Sequence, residues 1–289
     1  MVIIMNKEMW KNPIAYTELE NAEVPLWFWN DKLENEELIR QLELQTSVGT
    51  TGTTPHVRMN GGNGYIGGFL DEDWFEKIRL VLEYKKEHNE KFWLYDEIDW
   101  PSGTCNRTVT KDENFREQYL DIKKIEIPKD GYFRMQVKNI TKQNLLNVND
   151  MESLRQYPVN VYLVDRNHNQ VVDPYEYMFS SPFGIELELD RNNHLDLYEI
   201  TIRVDTYIGG GDQQVNYMNK SATEKFIELS YEPYKREVGE YLGNIINTSF
   251  NDETRMCNPL PWSQDFADEF LKRKGYSIYP VLIHLILSG

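Results

Sequence analysis

Cysteine is nearly absent: the chain has 289 residues and two cysteines, Cys105 and Cys257, too far apart for the paired spacing of a metal site. Two thiols cannot build a disulfide framework, so burial must hold the fold, and a reducing compartment is expected. Histidine is scarce as well, with five residues that share no ligand spacing. Basic residues are outnumbered, 31 Lys and Arg against 47 Asp and Glu, and the net charge of -16 repels phosphate backbones and anionic membranes. No nucleic acid and no membrane are therefore expected as partners. No stretch approaches the roughly 20 apolar residues of a membrane span, and the run at Met1–Met5 is too short for a signal peptide, so a cytoplasmic protein is expected. Glycine-rich segments occur, but Gly61-Gly62-Asn63-Gly64 and Gly209-Gly210-Gly211 lack the strand-loop-helix frame and the Lys-Ser/Thr of a phosphate loop.

Aromatic residues are plentiful, with seven Trp and eighteen Tyr, and 40% of the chain is hydrophobic. That is enough for a real core in one large domain or two modest ones. Rings in such number suit a carbohydrate site, but also any core.

The order of patterns is that of strand-helix units. Val24 to Asn30, VPLWFWN, reads as a buried strand with a polar end, and Asn35 as the cap of a helix carried by Leu38, Ile39, Leu42 and Val48 and ended by Gly49. A second strand ends in PHVR at 55–58, followed by a helical stripe of Trp74, Phe75, Ile78 and Leu82. A third strand, KFWLYDE at 91–97, runs into acidic residues and the turn-forming Trp100-Pro101-Ser102-Gly103.

Beyond Cys105 the rhythm changes to short alternating runs, Tyr119–Ile127, Tyr132–Val137, Val159–Val164, Ile185–Leu189 and Leu195–Tyr207, with a turn at Lys129-Asp130-Gly131. This predicts an antiparallel β-module. A fourth strand over Val215–Met218, a capping box at Ser221–Glu224, a stripe of Phe226, Ile227, Tyr231 and Tyr234, a fifth strand over Asn244–Phe250 and a helix from near Ser263 restore the first pattern. The expected fold is α/β: a partial or truncated TIM (β/α) barrel with an inserted antiparallel β-domain, cut after five of eight units. The expected boundaries are 1–106 and 212–289 for the barrel and 107–211 for the insert.

In such a barrel, ligands gather at the carboxyl ends of the strands. Asp96-Glu97 and Asp252-Glu253 each follow an apolar strand and would face one mouth. Glycosidic cleavage needs one protonated carboxyl on the leaving oxygen and one carboxylate to activate water or attack the sugar. Any single acidic residue there is more often a helix cap or a solvated loop residue.

PLWFWN at 25–30, TPHVR at 54–58, YDEIDWPSG at 95–103 and FNDE at 250–253 resemble motifs of the rhamnosidase-type glycoside hydrolases, those similar to glycoside hydrolase family 106. DQQVNYMNKSATEKFIEL at 212–229 and the PWSQDF and KGYSIYP segments extend the resemblance along nearly the whole chain. It implies Glu97 and Glu253 as the catalytic pair of an inverting hydrolysis, Glu97 as acid and Glu253 as base, with a glycoside as substrate. The other residues of these motifs, Tyr95, Asp96, Asp99 and Asp252, are expected around the sugar. No cofactor is required; relatives hold a calcium ion near the sugar, but no local Asp-rich loop identifies a metal site here.

Trp27, Trp29 and Trp100 are candidates for stacking on a pyranose, with Trp29 and Trp100 expected to be the more exposed; barrel core is the competing role. Asn30, His56 and Arg58 can donate to hydroxyls or orient a carboxylate, although a histidine beside a strand end is more often structural. Alternatives to an active hydrolase are a non-catalytic carbohydrate-binding remnant, a truncated fragment of a larger enzyme, open to self-association through exposed barrel edges, and recognition by the β-insert through Tyr132, Phe133, Tyr162 and Tyr198.

Overall fold

The computed structural model describes residues 23–59, 64–128, 131–141, 155–156, 158–190, 193–205 and 214–287. The features expected at Met1–Met5, Gly61-Gly62-Asn63, Lys129-Asp130 and Gly209-Gly210-Gly211 lie outside the described residues. In chain order the elements are β1 (Leu26–Trp29), α1 (Asn35–Ser47), β2 (Gly52–Val57), α2 (Glu72–Glu87) and β3 (Lys91–Tyr95). Then come β4 (Gln118–Ile125), β5 (Tyr132–Gln136), β6 (Val161–Asp165), β7 (Gln170–Val172), β8 (Met178–Ser181), β9 (Gly184–Asp190) and β10 (Leu195–Val204). The last are α3 (Lys220–Val238), β11 (Ile246–Phe250), β12 (Pro261–Trp262) and α4 (Gln264–Lys274).

Two compact units result, Met1–Lys111 with Ser221–Arg255, and Asp112–Lys220 with Met256–Gly289. The first is a parallel sheet in the order β1-β2-β3-β11. Its helices follow from the sequence. In α1, Leu38 and Leu42 lie one turn apart and are buried, and Gly49 closes the helix at φ +88°, a left-handed conformation that glycine adopts without a Cβ penalty. Glu34, not Asn35, is the cap, and its side chain makes no capping bond. Asp71 caps α2, accepting the Trp74 N–H at 2.9 Å. In α3 the buried residues Ala222, Phe226, Ser230, Tyr234 and Val238 recur at every fourth position, and the Tyr234 hydroxyl accepts the Trp74 indole N–H at 3.2 Å.

Val215–Met218 is not a strand of this sheet. Val215 makes an antiparallel bridge to Arg116, and the Asn216 side chain turns back to accept the Met218 N–H at 3.1 Å, a local turn that competes with strand pairing. Among the described residues the parallel sheet is therefore open and four-stranded, with β1 and β11 at its edges.

The second unit holds a five-stranded antiparallel sheet, β12-β4-β10-β6-β7, and a three-stranded one, β5-β9-β8. Alternation decides the faces: in β9, Ile185, Leu187 and Leu189 are buried while Glu186 and Glu188 turn away. These residues meet Val161, Leu163 and Leu197 of the larger sheet in one core. Residues 256–289 also belong to this unit and do not continue the parallel sheet. The reason is pairing: β12 runs antiparallel to β4, and α4, capped by Ser263, lays Ala267 with Ile278, Leu282 and Ile283 against Leu120, Tyr162, Val164 and Ile200. No helix among the described residues is long and apolar enough to cross a membrane.

Candidate functional site

Strand alternation sorts the residues of the parallel sheet. Trp27 and Trp29 face the helices: Trp27 donates to Gln41 of α1 at 2.6 Å, and Trp29 packs edge-on to Trp74 of α2 with ring centroids 5.2 Å apart. Trp29 is 1% exposed, so the expectation that it stacks on a ligand is corrected to a core role. The opposite face receives Phe28, His56, Tyr95 and Phe250, one ring from each strand in sheet order. Phe28 and His56 meet edge-on at 5.4 Å, His56 stacks on Tyr95 at 3.9 Å, and Tyr95 stacks on Phe250 at 5.7 Å.

His56 is 2% exposed, and neither ring nitrogen has a hydrogen-bond partner of good geometry among the described residues. Burial pulls its pKa down to about 4, the Arg58 charge adds to the effect, and Asp252 opposes it. The ring is thus neutral at ordinary pH, with one donor and one acceptor uncommitted. The Arg58 guanidinium lies 5.1 Å from the Phe28 ring and 4.3 Å from that of Trp100, with Asp99 at 4.0 Å. Trp100 is 37% exposed, as expected. Asp99 has φ +57° and accepts the Met59 N–H, while Asn30 is half-buried at the end of β1.

The two acidic pairs come together because β3 and β11 are neighbours. Ser102 fastens them. Its hydroxyl donates to Asp96 Oδ1 at 2.5 Å and accepts the Asp252 N–H at 2.8 Å, and its N–H donates to the Asp252 carbonyl at 2.9 Å. Asp96 is fully buried; its other oxygen accepts from the Tyr231 hydroxyl at 2.6 Å and the Asn251 amide at 3.0 Å. The Tyr95 hydroxyl lies 2.8 Å from Asp252 Oδ2 and 2.5 Å from the Asp99 carbonyl, and its pKa is pushed far up, by burial first and Asp252 second.

Glu97, 1% exposed, is clasped by the loop that follows it. Oε1 accepts N–H groups of Ile98 and Asn106 at 3.0 and 2.6 Å. Oε2 accepts N–H groups of Thr104 and Cys105 at 2.9 and 2.7 Å and the Thr104 hydroxyl at 3.1 Å. Burial raises its pKa, and these donors pull the other way. Four of its five partners are backbone N–H groups, which can only donate; the fifth, the Thr104 hydroxyl, can also accept and takes the Arg107 N–H at 3.0 Å. Glu253 is different: it is exposed, has φ +46°, and makes no hydrogen bond or ion pair among the described residues. Cys105 is buried, with its thiol pushed up to about 12 and so inert.

Sequence reasoning passed over Phe28, Ser102, Tyr231, Asn251 and Phe250. Ser102 and Asn251 lay inside the quoted motifs, whereas Tyr231 comes from a distant helix and carries no local signal. Among the described residues no three His, Cys, Asp or Glu side chains are grouped to hold a metal ion.

No family model matches the chain, and no curated protein matches it by sequence. A solved structure does: a rhamnosidase from Novosphingobium sp. PP1Y, with TM-score 0.54 and 8% identity over 94% of this chain. The likeness is one of fold. This chain spans 42% of the length of that rhamnosidase.

Proposed function

We propose that this chain is a carbohydrate-binding segment of glycoside hydrolase type, in which the carboxyl ends of the parallel strands receive a glycoside and Glu97 orders the site without transferring a proton. The carrying observation is the clasp on Glu97: a general acid must reach the leaving oxygen, and here the carboxyl is 1% exposed with both oxygens held by the loop that follows it. Recognition falls to Trp100 and Phe28 as apolar planes and to Arg58, Asp99 and Asp252 as hydroxyl partners, with His56 buried in the ring row beneath them. Rhamnose is the sugar to try first, because the fold is similar to that of a rhamnosidase.

A second reading is an active inverting hydrolase with Glu97 as acid and Glu253 as base. Glu253, exposed beside Asp252 and without an ion pair among the described residues, favours it, since a general base must reach water. Aglycone release from 4-nitrophenyl α-L-rhamnoside separates the two. Binding without release supports the first reading. Release by the parent that Glu97→Gln and Glu253→Gln both abolish, in folded protein, overturns it in favour of the second.

A further inference from the structure

The antiparallel unit contains a cleft of about 510 Å³ at the edge of its larger sheet. It exists because β7 is short. β7 pairs with Leu163, Val164 and Asp165 of β6, and the chain then leaves the sheet at Asp173, so β7 does not extend alongside Val161 and Tyr162. Valine, proline and tyrosine side chains line the space, and its volume falls within the range of small-molecule sites.

Its walls are fixed. The Tyr162 hydroxyl donates to the Tyr279 carbonyl at 2.6 Å, and the Tyr279 hydroxyl donates to Gln264 at 2.9 Å. Protein interiors otherwise close over such space, because an apolar lining without neighbours forfeits dispersion contacts. At the rim, Arg155 Nη1 donates to Asp173 Oδ2 at 2.6 Å, and the guanidinium lies 5.2 Å from the Tyr175 ring. Arg155 has further N–H donors uncommitted among the described residues. The two charges cancel, yet a donor and an acceptor remain side by side at one end of an apolar cleft.

We propose that this cleft binds a neutral molecule with a flat apolar body, which lies among Val171, Val172, Tyr175 and Tyr279, and with a hydroxyl or amide group that meets Arg155 and Asp173. An anion fits less well, because it would compete with Asp173 for Arg155 on a chain of net charge -16. The inference does not rest on the carbohydrate reading of the parallel sheet.

Titration of the whole chain with 2-naphthol, followed by fluorescence and calorimetry at neutral pH, tests it. Saturable 1:1 binding is expected, weakened at least tenfold by Val172→Trp or by Ser277→Trp, since Ser277 also lines the cleft, each checked for the parent's circular dichroism and cooperative melting. Trp100→Ala should leave it unchanged, and 2-naphthoate should bind more weakly than 2-naphthol. Absence of saturable binding, insensitivity to a folded filling variant, or tighter binding of the naphthoate overturns the proposal.

Discussion

At the scale of single residues, Glu97 and His56 carry the account, and each makes a measurable claim. Replacing Glu97 by Gln turns an amide N–H₂ toward backbone donors and leaves at least one of them unpaired in a buried place. We expect Glu97→Gln to lower unfolding stability by roughly 3 kcal/mol, read from urea midpoints, with sugar affinity falling as the loop loosens. An unchanged midpoint would mean that the clasp is not formed. For His56 the sign follows from its lowered folded pKa. The unfolded chain takes up a proton near the ordinary 6.5, the folded one only near 4, so this contribution is complete above 6.5 and is lost as pH falls between those values. The parent should lose more stability than His56→Gln between about pH 7 and about pH 4.5, and equal losses would contradict a buried, neutral imidazole.

At the scale of elements, Ser102 joins the loop after β3 to the loop after β11. Ser102→Ala removes the bond to buried Asp96 and the acceptor for the Asp252 N–H, so a loss of about 1 to 2 kcal/mol is expected, together with weaker glycoside binding. Calorimetry of the variant with the glycoside checks the second part. Several elements were legible beforehand because local pattern and local structure agree: the Leu38 and Leu42 turn of α1 with Gly49 behind it, the stripe of α2, and the alternation of β9. Others were not. β7 and β8 are too short to show a period. Val215 has a strand-like side chain, but the turn at Asn216 wins. Trp29 and Trp100 look alike in sequence, but Trp29 lies in β1 on the side that faces the helices, whereas Trp100 lies in the loop after β3. The partners of Glu97 are mostly backbone N–H groups, which every residue but proline carries, so no motif announces them.

At the scale of the molecule, the sequence changes rhythm near Cys105, and the chain passes from the first unit to the second after Lys111. The allegiance of residues 256–289 was not legible, because amphipathic spacing in α4 says that a face is buried and not against which sheet. The open parallel sheet bears on assembly. Its edge strands β1 and β11 lack outer neighbours among the described strands, and Leu26 and Phe28 are 41% and 51% exposed. Unpaired edges with apolar side chains promote association. We expect the mass seen in sedimentation equilibrium to rise with concentration, and Leu26→Lys to suppress the rise; a monomer at all concentrations would contradict this.

Saturation-transfer difference NMR of the folded chain with 4-nitrophenyl α-L-rhamnoside, followed over many hours, tests the central claim most directly, because one sample reports binding and turnover together. The account predicts transfer to both the sugar and the aryl protons, loss of that transfer in Trp100→Ala, and an unchanged glycoside spectrum. Absence of transfer, or replacement of the anomeric signal by free sugar at a rate that Glu97→Gln abolishes, would contradict it.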